Sequence, residues 1–363
     1  MTAHFPEPAP SLIAELRQPI VQAPMAGGGS TPELAAAVSC AGGLGFLAAG
    51  YRTPEEVRRQ IARTRELTGE PFGINVFCPG PDPAGAAGVA AGYRAELERA
   101  GEAKRYGVEL PAAAGWDDDH YRAKLDLLAE LAVPVVGFTF GCPDPDDLVL
   151  LQSAGSEVAV TVTSAEEALE AVRAGADILV VQGPEAGGHR GSFTAAGAGR
   201  PEPSLLGLLG EVGESVAAEG VRPAVLAAGG LADGADVAAA LAAGADAAQL
   251  GTAFLAAPES GAHPLHKAAL GDPAATTTVT TAFSGRPARG IANRFIAEHQ
   301  PTAPRDCYPR VHHLTSGLRR AAAAAGDPGA MALWAGTGQD RVRPLPAAEL
   351  VAVLSAELAA ARG

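Results

Sequence analysis

The stretch Ile178-Leu179-Val180-Val181-Gln182-Gly183-Pro184-Glu185-Ala186-Gly187-Gly188-His189-Arg190-Gly191 says most about the fold of this chain. Four apolar residues run without interruption and then meet a loop with four glycines. A short apolar run bounded by glycine predicts a strand that is buried on both faces. The loop after such a strand lies at the carboxyl end of a parallel sheet, where α/β proteins keep their chemistry. We therefore expect an α/β fold with a functional site directly after this strand.

Seven other segments resemble this strand, and helical segments separate most of them. We predict strands at residues 20–23, 44–48, 72–76, 134–138, 158–162, 178–182, 224–228 and 247–250. We predict helices at residues 32–41, 54–68, 164–174 and 233–243, and a closing helix at 346–361. Eight strands that alternate with helices predict a (β/α)₈ TIM barrel, and a doubly wound sheet is the main alternative.

Two regions interrupt this alternation. Residues 79–130 are too many for one crossover, and residues 258–326 hold most of the remaining aromatic residues and histidines. Insertions beyond the carboxyl ends of barrel strands usually shape or cover the site. We therefore predict a barrel over residues 1–258 that carries the 79–130 insertion, a smaller covering (lid) segment over 259–330, and a C-terminal segment with the closing helix over 331–363.

The composition excludes several classes of protein. The chain has 363 residues, of which 47% are hydrophobic and 19% charged, and this favours a soluble globular protein. Its net charge of −14 argues against a nucleic acid partner. The sequence shows neither an apolar run of about 18 residues, as a membrane span needs, nor a signal peptide. The scattered cysteines predict free thiols in the cytoplasm, and no zinc site: Cys40, Cys78, Cys142 and Cys307.

Two glycine-rich turns follow the seventh and eighth predicted strands. Gly229-Gly230 ends the first of these strands, and Gln249-Leu250-Gly251-Thr252 ends the second. In barrels these two positions frequently form a phosphate site from backbone N–H groups. Neither a P-loop nor a Rossmann fingerprint is present. Each turn alone is explained by tight turning, but the pair on consecutive strands favours phosphate binding.

Amide side chains stand at the ends of two further strands. Asn75 ends the third predicted strand and Gln182 the sixth. An amide offers a donor and an acceptor at once, which suits the edge of a heteroaromatic ring. The backbone of Pro24 and Met25, after the first strand, is placed to line one face of such a ring, although Met25 taken alone favours core packing.

The most probable acid–base residue is His189, because it lies in a glycine-rich loop after a buried strand. An imidazole at this place suits a general base at neutral pH. Glu185 is either a second acid–base group or the ion-pair partner of Arg190, and we favour the pair. The sequence offers no third ligand for a metal beside the remaining paired histidines, which we interpret as lid residues: His263, His266, His312 and His313.

The second dense motif spans residues 281–294. It contains a hydroxyl group, an amide and three guanidinium groups: Ser284, Asn293, Arg286, Arg289 and Arg294. A solvated basic segment is one explanation. In so acidic a chain, the cluster favours an anion site or a contact between domains.

Taken together, the motifs resemble the nitronate monooxygenase family. The matching segments cover nearly the whole chain in the family's order: 22–28, 73–75, 136–141, 182–191, 228–230, 249–252, 283–290, 334–336 and 346–350. The Glu-Ala-Gly-Gly-His loop that ends at His189 and the Phe-Ser-Gly-Arg segment that begins at Phe283 are its most specific parts.

The resemblance implies an FMN-dependent TIM barrel with a covering domain. It implies that alkyl nitronates such as propionate 3-nitronate are oxidised by O₂ to carbonyl compounds and nitrite, without nicotinamide. His189 would be the catalytic residue and the 284–293 segment would serve substrate or lid: Ser284, Arg286, Arg289 and Asn293. FMN would be held by Pro24, Met25, Asn75, Gln182, Gly187, Gly188, Gly229, Gly230, Gln249, Leu250, Gly251 and Thr252.

Three matters stay open at this point. Tyrosines line the substrate pocket in some relatives, and the candidates here are Tyr93, Tyr106, Tyr121 and Tyr308. An FMN-type enoyl-acyl-carrier-protein reductase that uses NAD(P)H shares the barrel and a Gly-Gly-His loop, and a non-catalytic FMN-binding protein is a further alternative. A homodimer is compatible with the sequence, which does not determine the oligomeric state.

Overall fold

The computed structural model describes residues 11–194 and 202–362. Within these residues it places no helix long and apolar enough to cross a membrane. The strands are β1 (Ile20–Gln22), β2 (Gly45–Ala48), β3 (Phe72–Phe77), β4 (Val135–Thr139), β5 (Glu157–Val162), β6 (Ile178–Gln182), β7 (Gly188–His189), β8 (Ala224–Ala228), β9 (Ala247–Leu250), β10 (Thr277–Thr280) and β11 (Ala288–Ile291).

Eight of these strands form a nearly closed parallel barrel. Their order is β1-β9-β8-β6-β5-β4-β3-β2, and every pair in that order is parallel. The two ends of the sheet meet where Leu44 N–H donates to Ile20 O at 3.0 Å and Gln22 N–H donates to Leu44 O at 2.9 Å. The predicted (β/α)₈ barrel is therefore confirmed, and the doubly wound alternative is wrong.

Helices connect the barrel strands and surround them. Side-chain caps set two of their starts: Thr53 and Glu56 form a complete capping box before the helix at Pro54–Leu67, and Ser164 Oγ accepts from Glu167 N–H before the helix at Ala165–Ala174. The helices are α1 (Pro32–Cys40), α2 (Pro54–Leu67), α3 (Ala86–Arg99), α4 (Glu102–Arg105), α5 (Tyr121–Glu130), α6 (Pro145–Ser153), α7 (Ala165–Ala174), α8 (Leu205–Ala218), α9 (Gly234–Ala242), α10 (Thr252–Leu255), α11 (Pro264–Ala269), α12 (Arg294–His299), α13 (Arg310–Ala324) and α14 (Ala347–Arg362).

The lower interior of the barrel is filled by side chains. Phe46 is 2% exposed and packs with Val135, Ala159 and Leu226 in one cluster. Its ring occupies the space beside Gly73, where an added Cβ would lie 2.3 Å from a ring carbon. Glycine at this register position is what admits the ring, and the packed interior leaves only the upper end of the barrel open for a site.

The two regions that interrupt the alternation share a second hydrophobic core. Tyr93 and Leu97 of α3 belong to the same buried cluster as Phe283 and Phe295, which follow the barrel. Buried Glu102 of α4 joins them further, because Arg294 donates to both of its carboxylate oxygens at 2.5 and 3.0 Å. Both insertions therefore act together in covering the barrel.

A small antiparallel sheet connects this cover to the barrel. Its strand order is β10-β11-β7, and Ala288 of β11 pairs with His189 of β7. The pairing continues as Arg190 N–H donates to Pro287 O at 2.9 Å. The loop after β6 is thus held in place by a strand from the covering segment.

Candidate active site

A cavity of about 520 Å³ opens at the carboxyl ends of the barrel strands. We call it the inner cavity. The structure brings every residue that the sequence suggested for cofactor binding, together with His189, to its lining: Pro24, Met25, Asn75, Gln182, Gly187, Gly188, Gly229, Gly230, Gln249, Leu250, Gly251 and Thr252. These residues come from five of the barrel strands or the turns that follow them, which places the candidate site where barrel enzymes carry theirs.

The two glycine turns present backbone donors to the inner cavity. Gly229 and Gly230 have φ angles of +127° and +72°, and a Cβ on Gly230 would lie 2.8 Å from Glu185 Cβ. Along the described chain, the N–H groups of Gly229, Gly230 and Gly251 have no backbone or side-chain acceptor. Buried N–H groups are nearly always paired in native proteins. Their arrangement therefore suits an anionic ligand such as a phosphate.

Two of the three amide side chains at the strand ends bond to their surroundings. Gln182 accepts from Gly191 N–H at 2.8 Å and donates to His189 O at 3.2 Å, so it fixes the His189 loop. Asn75 accepts from Thr139 Oγ1 at 3.1 Å. Gln249 is 7% exposed, and no hydrogen bond of its side chain is found within the described residues. Its amide is the one best placed to serve a ligand.

His189 is held by contacts from the covering segment. Its Nε2 lies 2.8 Å from Ser284 Oγ. Ser284 donates its single proton to Arg286 O at 3.1 Å, so it accepts from His189 Nε2–H. The lone pair of the ring then stands on Nδ1. Ser284 therefore occupies Nε2 of an imidazole that lines the inner cavity.

The surroundings of His189 disfavour its charged form. Burial, and then the positive charges of Arg286 and Arg319, lower the pKa of His189 to about 3. Aromatic rings surround the imidazole, with centroid distances of 5.7 Å to Phe140 and 5.4 Å to Trp334. The imidazole is therefore neutral at physiological pH, unlike the base titrating near neutrality that the sequence suggested.

Arg286 lies just behind this group. Its guanidinium carbon stands 4.2 Å from the centroid of the Phe140 ring, and it donates to the carbonyl oxygens of Arg190, at 3.3 Å, and Ser192. The side chain is 8% exposed, and burial lowers its pKa to about 10. Arg286 thus fixes the end of the His189 loop and adds positive charge near the ring.

Arg289 and Asn293, like Ser284 and Arg286, do not line the inner cavity. Arg289 donates to Pro184 O at 3.0 Å and so connects β11 to the loop after β6. Asn293 caps α12 and donates to Met331 O at 2.8 Å. Their contacts in the structure hold the covering segment together.

The expected ion pair between Glu185 and Arg190 is wrong. Arg190 instead pairs with Glu202 at 3.0 Å. The Glu185 carboxylate accepts from Leu205 N–H at 3.2 Å, at the start of α8. The positive end of that helix gives the carboxylate a partner that residue spacing in the loop does not show.

A group of ring-bearing residues completes the cavity, and the sequence identified only part of it. Tyr308 was a candidate, and its ring centroid lies 5.7 Å from that of His189. The sequence analysis missed Tyr51, which lines the inner cavity. Its ring stacks on that of His312 with a centroid distance of 3.9 Å. The hydroxyl oxygens of Tyr51 and Tyr308 lie 3.1 Å apart. The other three candidate tyrosines bond elsewhere: Tyr93 to Ala282, Tyr106 to Asp327 and Tyr121 to Asp147.

Tyr51 could have been found from its place in the sequence, because it follows β2 at the same edge as the other site residues. Its backbone has a φ of +66°, and its N–H donates to Asp119 Oδ1 at 3.0 Å. Tyr51 and Phe140 also line a second, larger cavity of about 740 Å³. These side chains therefore form a partition between an inner and an outer space.

The paired histidines lie near the site. His263 and His266 line the inner cavity, and His266 Nε2 donates to Trp334 O at 3.0 Å. Burial lowers the pKa of His266 to about 4. Neither belongs to the one metal-type grouping found among the described residues, which is Glu102, Glu298 and His299.

Comparison with known proteins follows this geometry. The nitronate monooxygenase family model matches residues 10–357. The chain belongs to the nitronate monooxygenase family. It is 44% identical over 352 residues to the nitronate monooxygenase of Paraburkholderia phytofirmans, covering 94% of this chain and 92% of that one. It is 42% identical over 356 residues to the nitronate monooxygenase of Pseudomonas aeruginosa, and the match covers 94% of this chain and 97% of that one.

Solved structures that resemble this chain include one that is 53% identical and a more distant one that is 30% identical. A nitroalkane oxidase from Streptomyces ansochromogenes is 53% identical with a TM-score of 0.90, covering 97% of this chain and 98% of that one. FabK from Thermotoga maritima is more distant, at 30% identity and a TM-score of 0.73, covering 96% and 94%. The resemblance seen in the sequence is therefore confirmed, and the chain is an oxidoreductase of a family of flavin enzymes.

Proposed function

We propose that the protein binds FMN in the inner cavity and oxidises alkyl nitronates, propionate 3-nitronate among them, with O₂ to carbonyl compounds and nitrite. Membership of the nitronate monooxygenase family supports the reaction class. The observation that carries the choice of substrate is the neutral, desolvated His189 at the cavity wall.

The inner cavity fits a flavin mononucleotide. The unpaired N–H groups of Gly229, Gly230 and Gly251 would bind its single phosphate. The Gln249 amide and the Asn75 side chain would meet polar edges of the ring system, with the backbone at Pro24 and Met25 beside it. When bound, FMN would supply the redox chemistry, accepting electrons from the substrate and passing them to O₂.

The chemistry of His189 favours a substrate that is already an anion. A neutral nitroalkane must first lose a carbon-bound proton, and an imidazole with a pKa of about 3 is a weak acceptor for it. A nitronate needs no such step. His189 Nδ1 would then serve any residual proton transfer, while Ser284 keeps the ring in one orientation. We therefore expect nitronates to be better substrates than the corresponding neutral nitroalkanes.

The rings around His189 would keep water from the reacting atoms. Phe140, Tyr308 and Trp334 enclose the imidazole with edge or tilted contacts. Their apolar faces also provide a route that O₂ can follow. Neither of these roles of the rings requires a nicotinamide cofactor.

Anaerobic mixing tests the proposed function. The purified protein, reconstituted with FMN, is mixed with propionate 3-nitronate and, in a separate experiment, with NADPH, while the flavin absorbance is recorded. We expect the nitronate to bleach the flavin band and NADPH to leave it oxidised. Rapid bleaching by NADPH would move the assignment to the enoyl reductase alternative, and FAD in the acid-released cofactor would overturn the FMN assignment.

The predicted cytoplasmic location and the homodimer stay predictions.

Nitrite release with matching O₂ uptake, on addition of a nitronate in air, would complete the assignment. Reconstituted protein that binds FMN but is reduced by neither substrate would instead favour a non-catalytic flavin-binding protein.

A further inference from the structure

Arg319 is a cation in the inner cavity wall without a counter-ion. It belongs to α13 and lines the cavity opposite the barrel turns. Its Nε is buried and has no hydrogen-bond partner. Within the described residues, no carboxylate oxygen lies within 4 Å of the guanidinium. Burial lowers the pKa of Arg319 to about 10, which leaves it charged at neutral pH.

Two other buried cations among the described residues are paired with carboxylates, and buried Arg286 instead donates to the backbone carbonyl oxygens of Arg190 and Ser192. Lys124 is fully buried, and its Nζ lies 2.7 Å from Asp119 Oδ2. The Arg294 guanidinium meets buried Glu102 at 2.5 Å. A desolvated charge is costly unless it is paired, and proteins generally satisfy this requirement internally. Arg319 differs from these residues because its free side faces a cavity, which indicates that a ligand supplies the missing negative charge.

The guanidinium is held in place by a ring stack. Arg319 Nη2 lies 3.2 Å from His312 Nδ1 and donates to His312 O at 3.1 Å. His312 stacks on Tyr51 with an interplanar angle of 6°. Burial, and then the charge of Arg319, keep the pKa of His312 well below its usual range, so this neighbour is neutral. These contacts use Nη2, and Nη1 has no hydrogen-bond partner within the described residues.

We propose that Arg319 recognises the substrate through a planar group with two anionic oxygens, and so makes this protein selective for anions. The inference rests on the proposed nitronate substrate. A guanidinium matches such a group with two parallel N–H donors. The two oxygens belong either to the nitronate itself or to a carboxylate at the far end of a substrate such as propionate 3-nitronate.

Kinetics with two nitronates tests the proposal and separates these sources. Arg319→Gln is compared with Arg320→Gln, which removes the same charge from the next residue of α13, an exposed side chain outside the inner cavity. The substrates are propionate 3-nitronate and propyl-1-nitronate, which lacks the carboxylate. We expect Arg319→Gln to raise KM by roughly 10- to 100-fold, as for a lost hydrogen bond to a charged group, with kcat changed far less.

The pattern over the two substrates identifies the group that Arg319 binds. A higher KM for both substrates assigns the nitronate oxygens, and a higher KM for propionate 3-nitronate alone assigns the carboxylate. Arg319→Lys should recover part of the loss. An Arg319→Gln variant with the KM of the Arg320→Gln control on both substrates would overturn the proposal, and so would a loss confined to kcat.

A binding measurement keeps the inference independent of turnover. Nitrite, a small anion with two oxygens, is titrated into the FMN-loaded protein while the flavin absorbance is followed. We expect Arg319→Gln to weaken nitrite binding at least tenfold and Arg320→Gln to leave it unchanged. Binding that depends on Arg319 in a protein that does not oxidise nitronates would refute the proposed function alone. Nitrite binding unchanged in Arg319→Gln would refute the role of Arg319.

Discussion

The two walls of the inner cavity are built from different chemistry. The barrel wall consists of glycine turns and amides, with donors on Gly229, Gly230 and Gly251 that belong to the backbone. The wall opposite carries aromatic rings such as Trp334 and the cation Arg319. Backbone donors on a rigid barrel suit a constant cofactor, while side chains on a cover can vary with the substrate. On the proposed function, the cofactor would bind to the barrel wall and the opposite wall would select the substrate.

Replacement of His189 gives the largest expected effect on the substrate side. His189→Asn removes the proton acceptor, so turnover of a neutral nitroalkane should fall by roughly 10²- to 10⁴-fold, while nitronate turnover falls much less. FMN content should equal that of the wild type, because the barrel wall is intact. Rates with nitroethane and with ethyl nitronate check this, along with flavin content after gel filtration. Equal losses on both substrates would contradict the assigned role.

Replacement of a glycine in the barrel wall should instead lower the affinity for FMN. In Gly230→Ala the new Cβ would lie 2.8 Å from Glu185 Cβ and the residue keeps a φ of +72°, so the turn must move. We expect FMN affinity to fall at least tenfold, by loss of hydrogen bonds to a charged group. Gly220→Ala is the matched control, with a φ of +74° and nothing within 4 Å of the new Cβ.

The control should lose about 1–2 kcal/mol of stability, the usual cost of a left-handed backbone at a residue with a Cβ, and keep its FMN affinity. Titration of apoprotein with FMN, followed by flavin fluorescence, measures both variants. If Gly220→Ala and Gly230→Ala bind FMN alike, backbone strain rather than the phosphate turn would account for any loss, and the division between the two walls would fail.

Local features of this site were predictable from sequence and contacts across the fold were not. Gly229 and Gly230 directly follow β8, and Gln249 lies near the end of β9, so finding the strand places the residue. Arg319 lies within an ordinary amphipathic helix, and only the packing of the second core turns it toward the cavity. The Glu185 prediction was wrong for the same reason, since its partner is the start of a helix that the loop sequence does not show.

Acid sensitivity is a further expected effect and belongs mostly to the covering wall. The folded-state pKa values of His189 and His266 are lowered to about 3 and 4, and that of His312 lies well below its usual range. The unfolded chain therefore takes up protons first as the pH falls below about 6.5. The free energy of unfolding should then decrease between pH 6.5 and 4, by about 1.4 kcal/mol per pH unit for each histidine.

Urea unfolding at a series of pH values measures this slope. His266→Gln should reduce it by the share of one histidine, and His120→Asn, at an exposed position, should leave it unchanged. An unaltered slope in His266→Gln would show that His266 takes up its proton in the folded protein.

The pairing of β7 with β11 has a consequence for the order of synthesis. A growing chain that has emerged through α10 already contains all eight barrel strands and both glycine turns. It does not yet contain Ala288 or Ser284, the residues that pair with and orient His189. His189 therefore gains its pairing strand and its hydrogen-bond partner only after residues 284–288 have been synthesised, so a product terminated before them would keep the glycine turns but lack an ordered His189 loop.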